Sequence, residues 1–238
     1  MSKGQLVYSG KAKELYTTSE PGVLQVVYLD QATALNGLRK DQMSGKGQLN
    51  NQITSLIFKY LSEQGIANHF IKEVSPTEQL VTKVAMIPLE VVLRNVATGS
   101  FVKKFNAVEG TVLNPLIEFY YKNDALDDPM MNDAHVTVLK IATAEQVAQI
   151  KAQTLELNQT LMPLFEKIGL TLVDFKVEYG VTPSGELLLA DEITPDTCRL
   201  WDRETGKSLD KDVYRKETGD LIGVYQEVLA RLKQALAQ

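Results

Sequence analysis

Residues 170–199 read LTLVDFKVEYGVTPSGELLLADEITPDTCR. Two apolar runs flank a Thr-Pro-Ser-Gly turn, the pattern of a β-hairpin. Alternation along the first strand puts Val173, Phe175, Val177 and Tyr179 on one face and Asp174, Lys176 and Glu178 on the other. One face is core and the opposite face is charged. A two-residue Ser184-Gly185 loop pairs Pro183 with Glu186, which sets Glu178 directly across from Asp191. Like charges face to face destabilise a sheet unless a cation lies between them. The pattern therefore predicts a divalent-ion site held by Glu178 and Asp191 at the centre of an active-site sheet.

The 238 residues around this hairpin are enough for one large or two small domains with proper cores. A hydrophobic fraction of 44% fits an ordinary globular chain, and a net charge of -5 argues against nucleic acid as the main partner. The single cysteine, Cys198, excludes an internal disulfide, and His69 and His135 are too few for a His/Cys zinc cluster. A hard, oxygen-ligated ion is the better match. The start, MSKGQLVYSGK, turns polar at once and no apolar run reaches membrane-spanning length. The expectation is a cytoplasmic protein with no membrane partner.

In chain order, residues 5–16 (QLVYSGKAKELY) read as two short strands joined by Ser9-Gly10, with a third strand at 23–29. Gly10 lets the backbone approach a ligand closely, and Lys11 and Lys13 follow it. This is either a phosphate-covering glycine turn or an ordinary hairpin with solvated lysines. Residues 30–47 are polar and without period, the mark of a long loop, and loops of that length are often functional. A packing helix follows at 48–64, stopped by Gly65. Strand-like runs come at 70–74, 79–84 and 89–94, with Glu90 and Arg94 sharing a face of the third.

Gly99-Ser100 opens a short helix, SFVKKF, so Arg94 and Ser100 mark either a phosphate site or a surface arginine beside a capping serine. Lys122, Asp124, Asp127 and Asp128 lie in a carboxylate-dense stretch that either orders a substrate amine or is merely solvated. A long helix at 143–168 carries Val147, Ile150, Leu155, Leu161, Leu164 and Phe165, and a last helix spans 218–236. The expected division is an N-terminal β-rich lobe, 1–85, with the glycine turn and one helix, and a larger α+β lobe, 86–238, with metal and substrate sites. The active site is expected in the cleft where they meet.

A glycine turn with two lysines, a two-carboxylate face and an Arg/Ser phosphate site together point to phosphoryl transfer from a nucleoside triphosphate. Mg²⁺ takes few carboxylates plus phosphate oxygens, so two acidic side chains suffice. The chain has no Walker P-loop, no GxGxxG and no HRD or DFG set.

The residues carry a further pattern. IPLEVVLRNVATGS (87–100) and LVDFKVEYG (172–180) closely resemble the two signature segments of the SAICAR synthetase family. YSGKAKELY near the start, KNDALDDP (122–129) and ADEITPDTCRLWD (190–202) match that family too, so the resemblance spans essentially the whole chain in order. It implies an α+β, two-lobed fold of antiparallel sheets flanked by helices, likened to ATP-grasp enzymes and to the kinase nucleotide lobe. It also implies an ATP-dependent ligase of de novo purine synthesis. Such an enzyme joins the carboxylate of carboxyaminoimidazole ribonucleotide (CAIR) to the amine of L-aspartate, giving SAICAR, ADP and phosphate through an acyl phosphate.

Carried over by motif, Gly10, Lys11, Ala12, Lys13 and Lys122 would meet ATP, and Glu178 and Asp191 would hold Mg²⁺. Arg94, Ser100 and Arg199 would bind the nucleotide substrate, with Asp174, Lys176 and Asp196 as catalytic residues and Asp174 or Asp196 as candidate base. Arg39, Lys40, Lys122 and Arg215 are candidate clamps for the carboxylates of aspartate. A homo-oligomer is implied as well. Three positions depart from the family pattern: Tyr179 for Phe or Ile, Asn36 where Asp is frequent, and Cys198 for a smaller or hydroxylated residue. Cys198 is either an alkylation-sensitive thiol or an inert small side chain. The competing readings are a phosphotransferase acting on another nucleotide-like substrate and a nucleotide-binding module without catalysis.

Overall fold

The computed structural model describes residues 3–34 and 39–237. The chain forms two compact units, one of Met1–Val84 with Ile193–Asp196 and Ser208–Gln238, the other of Ala85–Glu192 with Thr197–Lys207. Asn36 lies outside the described residues.

The first unit begins with three antiparallel strands, β1 (Leu6–Ser9), β2 (Lys13–Thr17) and β3 (Val23–Tyr28). A small hairpin of β4 (Gln31–Ala34) and β5 (Arg39–Gln42) then precedes helix α1 (Lys46–Glu63). The expected loop at 30–47 thus contains paired strands, too short and polar for alternation to reveal. Helix α1 starts before residue 48 because the Asp30 carboxylate accepts the backbone N–H groups of Gly45 (3.0 Å) and Gly47 (2.8 Å), supplying from a distance the cap that orphan amides need. Strands β6 (Phe70–Ser75) and β7 (Glu78–Thr82) complete an antiparallel sheet of order β1-β2-β3-β7-β6. Leu24, Val26, Tyr28 and Val81 form a core on it, with Leu15 against them.

The second unit contains β8 (Ala85–Met86), β9 (Leu89–Val96), α2 (Gly99–Phe105), β10 (Val112–Tyr121), β11 (Met130–Met131) and α3 (Asp133–Val138). There follow α4 (Ala144–Lys167), β12 (Leu170–Val181), β13 (Leu187–Ala190) and β14 (Cys198–Asp202). Strand β12 is the axis. It pairs with β9 and β8 on one side and with β14 and β13 on the other, all antiparallel. Val173, Phe175, Val177 and Tyr179 are at most 1% exposed, as a core face requires. Helix α4 packs on β12 and β9, capped by a reciprocal Thr143–Gln146 box. Its buried stripe includes Leu157, whereas Leu155 is exposed.

The hairpin register differs by one residue from the expectation. Glu178 stands opposite Ala190, not Asp191, and Val181 opposite Leu187. Thr182 N–H donates to Glu186 O and Gly185 N–H to Thr182 O, both at 2.9 Å, so the loop holds Pro183, Ser184 and Gly185. Gly185 takes φ +89°, the left-handed residue that closes a three-residue hairpin loop.

The chain returns to the first unit with α5 (Asp212–Arg215) and α6 (Leu221–Leu236). Asp220 caps α6 by accepting from Ile222 and Gly223, which places its start after residue 218. The first unit thus includes α5 and α6, where the expected division gave all of 86–238 to the second lobe. The apolar stripe of α6, including Tyr225, Val228 and Leu232, is buried, and the helix packs with α1.

Candidate active site

The charged face of β12 organises the second unit. Directly opposite residues in a sheet point to the same face. Asp174 is opposite Arg94 of β9 on one side and Arg199 of β14 on the other, so the three form a row across three strands. Asp174 Oδ2 accepts Nη1 of Arg94 and Nη1 of Arg199, each at 2.8 Å. Arg94 also donates through Nε to Glu118 (2.8 Å) and through Nη2 to the Ser100 hydroxyl (3.0 Å), while Tyr120 donates to Glu118 (3.0 Å). Burial works against the charged Arg94 guanidinium, but Asp174 and Glu118 outweigh it and raise its pKa. The Arg199 guanidinium lies against Gly99, where an added Cβ would come within 2.7 Å of Nη2. Arg94, Ser100, Arg199 and Asp174, widely spaced in sequence, are thus brought together. Glu118 and Tyr120 were missed, although their two-residue spacing in a strand put them on one face.

Farther along the same face, Lys176 Nζ reaches Glu178 (2.9 Å), Glu90 (3.1 Å) and Asp191 (3.6 Å). Lys122 Nζ donates to both Glu178 oxygens at 2.7 Å. The cation between the carboxylates is therefore the Lys176 ammonium, assisted by Lys122. Burial alone would lower the Lys176 pKa, yet Glu178, Asp191 and Glu90 hold it well above the ordinary value, and the same balance with Glu178 and Asp191 raises Lys122. Although Asp191 is not opposite Glu178, its backbone turns left-handed at the end of β13 (φ +64°), and its carboxylate still reaches Lys176. Among the described residues no group of three or more His, Cys, Asp or Glu could cage a metal ion. Two hard carboxylates that already draw cations to one place match what Mg²⁺ needs when phosphates supply its other ligands.

In the first unit Gly10, Lys11, Ala12 and Lys13 make the turn between β1 and β2, closed by Gly10 N–H to Lys13 O at 2.9 Å. Lys13 Nζ lies 5.7 Å from the Tyr28 ring centroid. Asp196 also belongs to this unit. Its Oδ2 accepts from Lys46 and from Asn50 (2.8 Å), and its Oδ1 accepts from Tyr225 (2.7 Å) and faces Lys211 (3.4 Å). Burial pushes its pKa up, but Lys46 and Lys211 prevail and hold it far below the carboxylate range. So stabilised an anion is a weak base. Lys46 sits in a glycine-rich polar stretch and gave no sequence signal, yet it is fully buried. Arg39 is engaged by Asp41 and Glu217 and lies over the Tyr214 ring, and Arg215 pairs with Asp212.

Of the unusual residues, Tyr179 is buried and its hydroxyl meets Thr154 Oγ1 at 2.9 Å. Cys198 is buried on β14 opposite Phe175, which shields the thiol from reagents.

Residues 6–232 match the SAICAR synthetase family model. A phosphoribosylaminoimidazole-succinocarboxamide synthase of Enterococcus faecalis is 59% identical over 99% of this chain and 100% of its own length. The crystal structure of the synthase of that name from Ehrlichia chaffeensis superposes with TM-score 0.94 at 44% identity, covering 96% of this chain and 98% of that one. A SAICAR synthetase in complex with ADP gives 0.93 at 44% identity, covering 97% and 98%. The chain belongs to the SAICAR synthetase family, the ligases of purine biosynthesis.

Proposed function

We propose that this enzyme uses ATP to join the carboxylate of CAIR to the amine of L-aspartate, releasing SAICAR, ADP and phosphate. The observation that carries this reading is the single face of β12, where an arginine-rich anion cluster at Asp174 and a carboxylate–ammonium cluster at Glu178 share one strand. At about 3.3 Å per residue the two lie roughly 13 Å apart along it, room for a nucleotide anchored by its 5′-phosphate at one end with its reacting carboxylate toward the other. The ADP complex of a relative supports nucleotide binding as such, and the glycine turn, Gly10 to Lys13, and Lys122 are the residues we assign to it.

A carboxylate is a poor electrophile because oxide cannot leave, so it is first phosphorylated to an acyl phosphate. The bond formed joins a carboxylate oxygen to the γ-phosphorus, and the bond broken releases ADP. Arg94, Arg199 and Ser100 hold the remote phosphate, and that binding energy positions the carboxylate. Lys176 would offset charge on the transferring group, and Lys11 and Lys13 are the residues assigned to the ATP phosphates. Mg²⁺ held by Glu178 and Asp191 would neutralise further charge on the phosphates. The aspartate amine then attacks the acyl carbon and expels phosphate. Asp174 and Asp196 are both tied to cations, so their parts are orientation and field. Asp174 aligns the arginines, and Asp196 fixes Lys46 and Tyr225. The released phosphate is basic enough to take the amine's proton.

The antiparallel sheet and glycine turn of the first unit support a relation to ATP-grasp enzymes and the kinase nucleotide lobe. None of the described helices is long and apolar enough to cross a membrane. A cytoplasmic homo-oligomer completes the reading, and light scattering measures its size. The decisive assay follows ADP release with ATP and Mg²⁺, adding CAIR and L-aspartate singly and together. Release is expected to require both, and turnover indifferent to aspartate would overturn the ligase assignment.

A further inference from the structure

We infer that Lys122 reserves the Glu178 carboxylate for a metal–nucleotide complex, covering its metal-binding edge until phosphate draws the ammonium away. This rests on the reading of Glu178 and Asp191 as the metal-holding pair. Lys122 Nζ bridges both Glu178 oxygens at 2.7 Å, and Lys176 adds a bond of 2.9 Å to Oε1. An ionised carboxylate offers about four lone-pair sites, so most are already taken. A divalent ion approaching Glu178 without a nucleotide meets two ammonium groups and is repelled.

The two lysines are held unequally. Lys176 spans Glu90, Glu178 and Asp191, so its departure would strand several carboxylates. Lys122 bridges one carboxylate from a side chain 40% exposed. A di- or triphosphate carries more negative charge than Glu178 and can accept the Lys122 ammonium, which bares the bidentate edge. Metal and nucleotide then enter as a couple, each raising the affinity of the other by the same factor. Lys122 thereby acts as a specificity residue that rejects the bare ion.

The test titrates Mn²⁺, a magnetic substitute for Mg²⁺, into the full-length protein with and without ADP, reading free Mn²⁺ by electron paramagnetic resonance. Without ADP, Lys122→Met is expected to bind Mn²⁺ about tenfold or more tightly than wild type. Lys122→Arg, which keeps the cation, should behave as wild type, and adding Glu178→Gln to Lys122→Met should remove the gain. If Lys122→Met leaves affinity unchanged while Glu178→Gln still weakens Mn²⁺ binding with ADP, the inference is overturned and the metal assignment stands. If Glu178→Gln has no effect with ADP present, the metal assignment fails and the inference with it.

Discussion

Arg94 and Asp174 face each other across adjacent strands and are joined at 2.8 Å, with the arginine side chain 3% and the aspartate 6% exposed. Arg94 is therefore a structural group in addition to its proposed part in binding the substrate phosphate. Arg94→Ala would leave Glu118 and Asp174 buried without their shared partner, a change that costs about 3–5 kcal/mol. Arg199, 20% exposed, is less deeply buried beside Asp174, so Arg199→Ala should cost clearly less. Urea denaturation of the two variants checks the order. Equal losses would mean that burial does not distinguish them.

Gly99→Ala probes the same cluster from the backbone. The new Cβ would stand 2.7 Å from Arg199 Nη2, at a residue whose φ of +56° already disfavours a side chain. The Arg199 guanidinium must shift away from Gly99. The expected result is a KM for CAIR raised by roughly tenfold or more, with the KM for ATP little changed. Parallel rises in both would place Arg199 elsewhere in the reaction.

Much of this site was legible because β-strand alternation is insensitive to partners. Asp174, Lys176 and Glu178 share a face whatever strand lies beside them. Register was the weak point. A loop of three residues instead of two moved Ala190 opposite Glu178, and only the left-handed turn at Asp191 kept its carboxylate within reach of Lys176. The Arg94–Asp174–Arg199 row was hidden because it depends on three strands pairing in a particular register, which no local pattern encodes. Lys46 and Tyr225 were hidden for a related reason: their meeting point at Asp196 joins helices far apart in sequence. Likewise, an amphipathic stripe announces α6 but does not say that α1 is its partner.

Tyr179 and Thr154 make an asymmetric pair. Thr154 Oγ1 also donates to Ile150 O at 2.7 Å, so Tyr179→Phe leaves the threonine hydroxyl satisfied. Its loss should be about 1 kcal/mol. Thr154→Val instead leaves a phenol hydroxyl on a side chain 1% exposed without its acceptor, at about 1–3 kcal/mol. Thermal unfolding should rank the two in that order, and the reverse ranking would contradict the geometry.

Asp196 gives the protein a pH-dependent brace. Its folded pKa is depressed, so the stabilisation is present above the unfolded aspartate value of about 3.9 and is lost as pH falls below it toward the folded value. Asp196→Asn removes the charge that Lys46 and Lys211 neutralise, leaving the fully buried Lys46 ammonium uncompensated. At pH 7 the variant should lose about 3–5 kcal/mol, as when one partner of a buried pair is deleted. The gap between wild type and variant should narrow as the pH is lowered below about 4, because the unfolded wild-type chain then takes up a proton at Asp196 that the folded protein resists, a dependence the variant lacks. Urea midpoints at a series of pH values measure this. A gap that stays constant down to acid unfolding would show that Asp196 contributes packing rather than charge, and the electrostatic account of the first unit would have to be abandoned.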